Sequence, residues 1–99
     1  MVTNETPSRG ISAHESAMQR RRDLGQAIVQ LRKEHDLSQE RLALEAGIDR
    51  SYMGRIERGE RSVSYDKLWA VCDALHISLA ELILKAESVR RGVKIESRD

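Results

Sequence analysis

The chain has 99 residues, enough for one domain with a modest core, and a single cysteine, which excludes an internal disulfide and a cysteine-built zinc site. Its 17 basic and 16 acidic residues leave a net charge of +1, so the whole chain is no polyelectrolyte binder, and any nucleic-acid surface must be a local patch. Aromatics are only 3% and phenylalanine is missing, so the core must be built from Leu, Ile, Val and Ala, which suits packed helices.

Residues 1–18 are rich in Ser, Thr, Glu and Gly and lack an apolar period, which predicts a flexible N-terminal segment. A basic cluster, Gln19-Arg20-Arg21-Arg22, follows. It is either the solvated start of a helix or an arm that touches phosphate. Asp23 can cap the first helix, with an earlier start near Ser16 as the alternative. Leu24, Ala27, Ile28 and Leu31 then recur at helical spacing and predict one buried stripe. Asp36 breaks the pattern.

The next stretch, Leu37 to Gly59, carries two short helical patterns back to back. Ser38 suits an N-cap, and Leu37 before it can staple onto Leu42. Gly47 falls where a helix ends in the left-handed conformation, which glycine adopts without steric cost. Asp49 is the next N-cap, with Ile48 placed to staple onto Met53. Met53 and Ile56 give the second helix a narrow apolar face, while Arg50, Ser51, Gly54, Arg55 and Arg58 share the opposite side. Two short helices turning about a glycine, the second basic on its outer face, describe a reader of the DNA major groove.

Beyond the loop Glu60-Arg61-Ser62, Ser64 caps a fourth helix whose inner stripe is Leu68, Val71, Cys72 and Leu75. Tyr65 and Trp69 read as the edge of the core, and Cys72 as a small core residue. Ser78 opens a fifth helix with a capping box to Glu81. Leu79 and Leu82 suffice to close a core, which leaves Ile83 and Leu84 in excess and predicts a dimer contact through them. The working division is a DNA-binding domain over 19–88 and a tail over 89–99, where Val93, Lys94 and Ile95 alternate like a brief strand.

The chain resembles the helix-turn-helix of the phage-repressor/Cro, or XRE, family. The resemblance rests on Leu31-Arg32, Leu37-Ser38-Gln39-Glu40, Leu42-Ala43, Ala46-Gly47-Ile48 and Arg55-Ile56-Glu57-Arg58-Gly59. It implies an all-α, five-helix lambda-repressor-like domain. It also implies that Arg50, Ser51 and Arg55 face bases, and that Arg32 pairs with Glu57 beneath the recognition helix. Phosphate contacts are expected from Ser38, Gln39, Tyr52, Arg58, Arg61 and Ser62. The implied function is a DNA-binding transcriptional regulator that acts as a homodimer on a palindromic operator. Restriction–modification controllers, compact phage repressors and antitoxins all fit this description, and the small size favours a controller. The alternative is a protein-interaction adaptor or antitoxin-like module on the same fold.

No nucleophile–base–acid set and no phosphate-cradling glycine loop is present, so no enzyme is expected. His14, His35 and His76 are scattered, so no metal or cofactor is expected either. No apolar run approaches the length of a membrane span, and no signal peptide or sensor domain is evident. The expectation is a cytoplasmic protein without a small-molecule ligand.

Overall fold

The computed structural model describes residues 12–92. Within them lie five helices: α1 (Ala13–Glu34), α2 (Gln39–Ala46), α3 (Arg50–Glu57), α4 (Tyr65–Leu75) and α5 (Leu79–Arg91).

Four of the five starts are those the sequence marks. The side chains of Ser38, Asp49, Ser64 and Ser78 each accept a hydrogen bond from the backbone amide three residues on. Each satisfies one of the amides that a helix N-terminus leaves without an internal partner. Ser78 and Glu81 form the reciprocal box. Gly47 closes α2 at φ 69°, and Gly59 lies at φ 75° beyond α3.

The first helix requires a correction. It begins at Ala13, so residues 13–18 are helical although they were assigned to a flexible segment. Ser12 and Glu15 build a full capping box there, and Asp23 lies in the helix interior with its side chain buried. The signal was present as Ser12-x-x-Glu15, but no apolar period follows it in the sequence. At the other end α5 runs to Arg91, past the boundary set at residue 88. The expected strand at Val93–Ile95 and residues 1–11 lie outside the described residues.

The core gathers Ala27, Ile28 and Leu31 of α1, Leu42 and Ala43 of α2, and Met53 and Ile56 of α3. Val71, Cys72 and Leu75 of α4 and Leu82 of α5 complete it, with Ile48 from the turn. The staple residues Leu37, Val63 and Ile77 pack against its rim. Tyr65 and Trp69 do not line the core. They meet edge to face with ring centroids 6.3 Å apart, and both are exposed, because α4 turns only its Val71–Leu75 side inward.

Two glycines set how α1 meets α3. A methyl on Gly25 would lie 2.4 Å from the Ile56 carbonyl oxygen and 2.5 Å from that of Glu57. One on Gly59 would lie 2.6 Å from Cγ of Arg22. The long helix therefore presses its backbone directly onto the last turn of α3. At the far end, Lys85 Nζ of α5 donates to Glu34 of α1 at 2.8 Å.

Candidate nucleic-acid interface

α3 is short, and its two sides differ sharply. Met53 and Ile56 are fully buried, whereas Arg50, Ser51, Arg55 and Arg58 stand exposed. The helix is also held against the domain by a polar contact that fixes its position. A carboxylate supplies it.

Glu57 ends α3 with its side chain only 4% exposed, opposite Arg32 of α1 at 12%. Arg32 Nε donates to Glu57 Oε2 at 2.8 Å and Nη2 donates to Oε1 at 3.1 Å, a two-pronged pair. The remaining prong, Nη1, donates to the Leu37 carbonyl at 3.0 Å. Gln39 Nε2 of α2 donates to the same Oε1 of Glu57 at 2.9 Å. One buried carboxylate thus ties α1, α2 and α3 together at the base of the reading helix, and the charges it buries are matched by hydrogen bonds on both sides.

Gly54 is buried under side chains. A methyl there would meet Arg58 Nη1 at 3.2 Å and Gln39 Oε1 at 3.5 Å. Those two polar side chains lie across the helix over it. Around it opens a shallow concavity lined by Gln39, Asp49, Arg50, Ser51 and Arg58, which brings residues of α2 and α3 onto one face.

The two acidic residues on this surface are both occupied. Asp49 accepts from the Tyr52 amide as the cap of α3. Glu60 takes two hydrogen bonds from Arg58, Nε at 3.0 Å and Nη2 at 3.2 Å. The Arg58 hydrogen bond holds the Glu60 carboxyl below the usual glutamate range, and Glu60 in turn raises Arg58. Both side chains are open to solvent, so the pair adds little to stability.

Tyr52 ties α3 to the loop that leads into α4. Its hydroxyl donates to the Ser62 carbonyl at 3.0 Å, so its single proton is already committed. The ring lies under two cations, with the Arg61 guanidinium carbon 5.7 Å and Lys67 Nζ 5.6 Å from its centroid. Tyr52 therefore braces the α3–α4 corner on which Arg61 and Ser62 are exposed. Ser38, at the mouth of α2, is exposed and occupied as its cap.

The sequence missed two parts of this arrangement: the Gln39–Glu57 bond and the seat of α1 on Gly25 and Gly59. Of these only Gly25 carried a signal, since a glycine inside an otherwise regular helix costs about 1 kcal/mol relative to alanine and calls for a packing reason.

A helix-turn-helix family model matches residues 28–82, which spans the Arg32–Glu57 pair, the concavity and the core beneath it. The chain belongs to the XRE-type helix-turn-helix family. Among similar members, control protein C.MunI of Mycoplasma sp is 42% identical over 64 residues, covering 64% of this chain and 86% of its own. The crystal structure of the restriction–modification controller protein C.AhdI from Aeromonas hydrophila matches with a TM-score of 0.62 and 44% identity, over 63% of this chain and 94% of that one. The clp gene regulator ClgR of Corynebacterium glutamicum matches with a TM-score of 0.70 at 29% identity, over 73% of this chain and 77% of that one. The expected family and the all-α fold are both borne out. The protein is a helix-turn-helix DNA-binding transcriptional regulator. Among the described residues no helix is long and apolar enough to cross a membrane.

Proposed function

We propose that the protein is a regulator of the restriction–modification controller kind, acting in the cytoplasm as a homodimer on a palindromic operator. The observation that carries the reading is the two-sided α3: Arg50, Ser51 and Arg55 are free on one side while Glu57 locks the other to α1 and α2. Two proteins similar to this chain, C.MunI in sequence and C.AhdI in structure, are named as a control protein and a restriction–modification controller protein.

In this reading α3 enters the major groove. Arg50 and Arg55 are separated by about 7.5 Å of helix rise, or roughly two base-pair steps, so each addresses a different base. The planar fork of arginine matches O6 and N7 of guanine, and Ser51 adds one adaptable hydrogen bond. Phosphates on one side meet the mouth of α2 at Ser38 and Gln39, where backbone amides and the helix dipole favour an anion. On the other side they meet Arg58, Arg61 and Ser62, with Tyr52 bracing the corner. Glu60 competes for Arg58, which weakens that contact. The dimer forms through Ile83 and Leu84, which are 42% and 59% exposed on α5. A two-fold pair reading adjacent half-sites places its α3 helices about 34 Å apart, one DNA turn.

Selection of bound duplexes from a random pool tests the reading. A palindromic site should emerge, and Arg55→Ala should lose about 1–3 kcal/mol on it with a much smaller loss on random DNA. If no sequence is enriched, α3 does not read bases; if Arg55→Ala weakens both duplexes equally, Arg55 is a backbone clamp and the reading role shifts to Arg50 and Ser51.

A further inference from the structure

We infer that Arg22 of α1 is a phosphate clamp that extends the DNA contact beyond the helix-turn-helix. The inference rests on the docking of α3 proposed above and adds to it a residue outside the matched family span, which begins at residue 28.

Three arginines in a row on a helix point about 100° apart, so they cannot share a task. Arg20 turns toward α5 and lines a groove with Asp23, Ile83 and Arg90. Arg21 is partly buried, and its Nε has no hydrogen-bond partner among the described residues. Arg22 takes the third direction. Its Cα and Cγ lie against Gly59, at 2.7 and 2.6 Å from where a methyl there would stand. One turn on, Gly25 meets the Ile56 and Glu57 carbonyls. Residues three apart share a helix face. Arg22 therefore emerges at the seam where α3 ends and the exposed corner of Glu60, Arg61 and Ser62 begins.

The chemistry at that seam distinguishes Arg22 from its neighbour Arg58. Arg58 is held at both prongs by Glu60. Arg22 is exposed, and its recorded hydrogen bond is to a neutral group, from Nη2 to Gln19 Oε1 at 2.9 Å. Among the described residues no carboxylate pairs with it. A phosphate oxygen would replace an amide acceptor with an anionic one, a stronger partner, at no expense of an existing ion pair. The seat on Gly59 also fixes the Arg22 backbone to the same turn that ends the reading helix, so its position relative to DNA is set by α3 and not by a floppy arm.

The test uses the full chain on its selected operator and on a random duplex across a salt series. Arg22→Ala should weaken binding to both by a similar factor, about threefold to tenfold near physiological salt. It should flatten the slope of log K against log salt by about 0.9 per subunit. Arg22→Lys should keep most of the slope, and Arg20→Ala, two positions away and facing α5, should leave it unchanged. An unchanged slope in Arg22→Ala, or an equal loss in Arg20→Ala, overturns the clamp. Ethylation interference with the wild-type protein gives an answer that does not depend on any variant folding. An interfering phosphate should appear outside the half-site, and its absence overturns the proposal. Loss of selectivity in Arg55→Ala beside an unchanged Arg22→Ala slope refutes the clamp alone, whereas a random pool that yields no enriched sequence refutes the docking on which it rests.

Discussion

Removing Glu57 should destabilise this domain far more than the loss of an ordinary surface ion pair. Its carboxylate is 4% exposed and receives three side-chain hydrogen bonds, two from Arg32 and one from Gln39. Glu57→Ala leaves the Arg32 guanidinium in a site 12% exposed with the Leu37 carbonyl as its remaining recorded partner. An uncompensated charge in such a place costs on the order of 3 kcal/mol, against 1 kcal/mol or less for an exposed pair. Arg32→Ala should cost about as much, since Glu57 then retains only the neutral Gln39 amide. In a domain of this size that loss lowers Tm by at least about 12 °C. Replacing both residues together by methionine removes the stranded charge and should recover part of the loss. Urea unfolding of the two single variants and the double variant measures all three. Losses below about 0.5 kcal/mol in both single variants would refute the argument and reduce the pair to decoration.

Three further outcomes follow from the geometry. Gly25→Ala should destabilise by about 1–3 kcal/mol in urea unfolding even though alanine is the better helix former, because its methyl would meet two backbone carbonyls that cannot swing aside; a gain in stability would show that α1 can lift off α3. Ile83→Asp with Leu84→Asp should give a folded monomer by sedimentation with much weaker operator binding, and an unchanged dimer would remove α5 from the interface. The Glu60 carboxyl should titrate below the ordinary glutamate range by NMR, chiefly because Arg58 hydrogen-bonds to it, and Arg58→Ala should return it to that range. Because its folded value is lowered, the small stabilisation from this pair is present above the ordinary glutamate range and disappears as pH falls through the folded value.

Sequence alone determined the parts of this protein whose causes lie within a few residues of their effects. Ser38, Asp49, Ser64 and Ser78 cap the amides three positions ahead, and Gly47 turns the chain between α2 and α3 at a positive φ. The apolar stripes need only helical periodicity, which is why the core of Ile28, Leu42, Met53, Ile56 and Leu75 and the excess of Ile83 and Leu84 were legible. The pairing of Arg32 with Glu57, 25 residues apart, was legible only through the family resemblance, since nothing local couples the two positions. Tertiary structure decided the rest. The Gln39 amide nitrogen rests on Glu57, where it shares Oε1 with Arg32, and this bond forms only once α1 and α3 have met. The Tyr52 hydroxyl likewise meets a loop carbonyl that becomes its neighbour only when α4 folds back. Asp23 resembled a helix start and proved to be interior, because Ser12 caps α1 more than two turns upstream. The arginine run Arg20–Arg22 was ambiguous in the sequence because three like charges in a row say nothing about direction. The seat of Arg22 on Gly59 supplies it, and that contact exists only once a helix from one end of the domain has been pressed, without side chains between, onto the end of another.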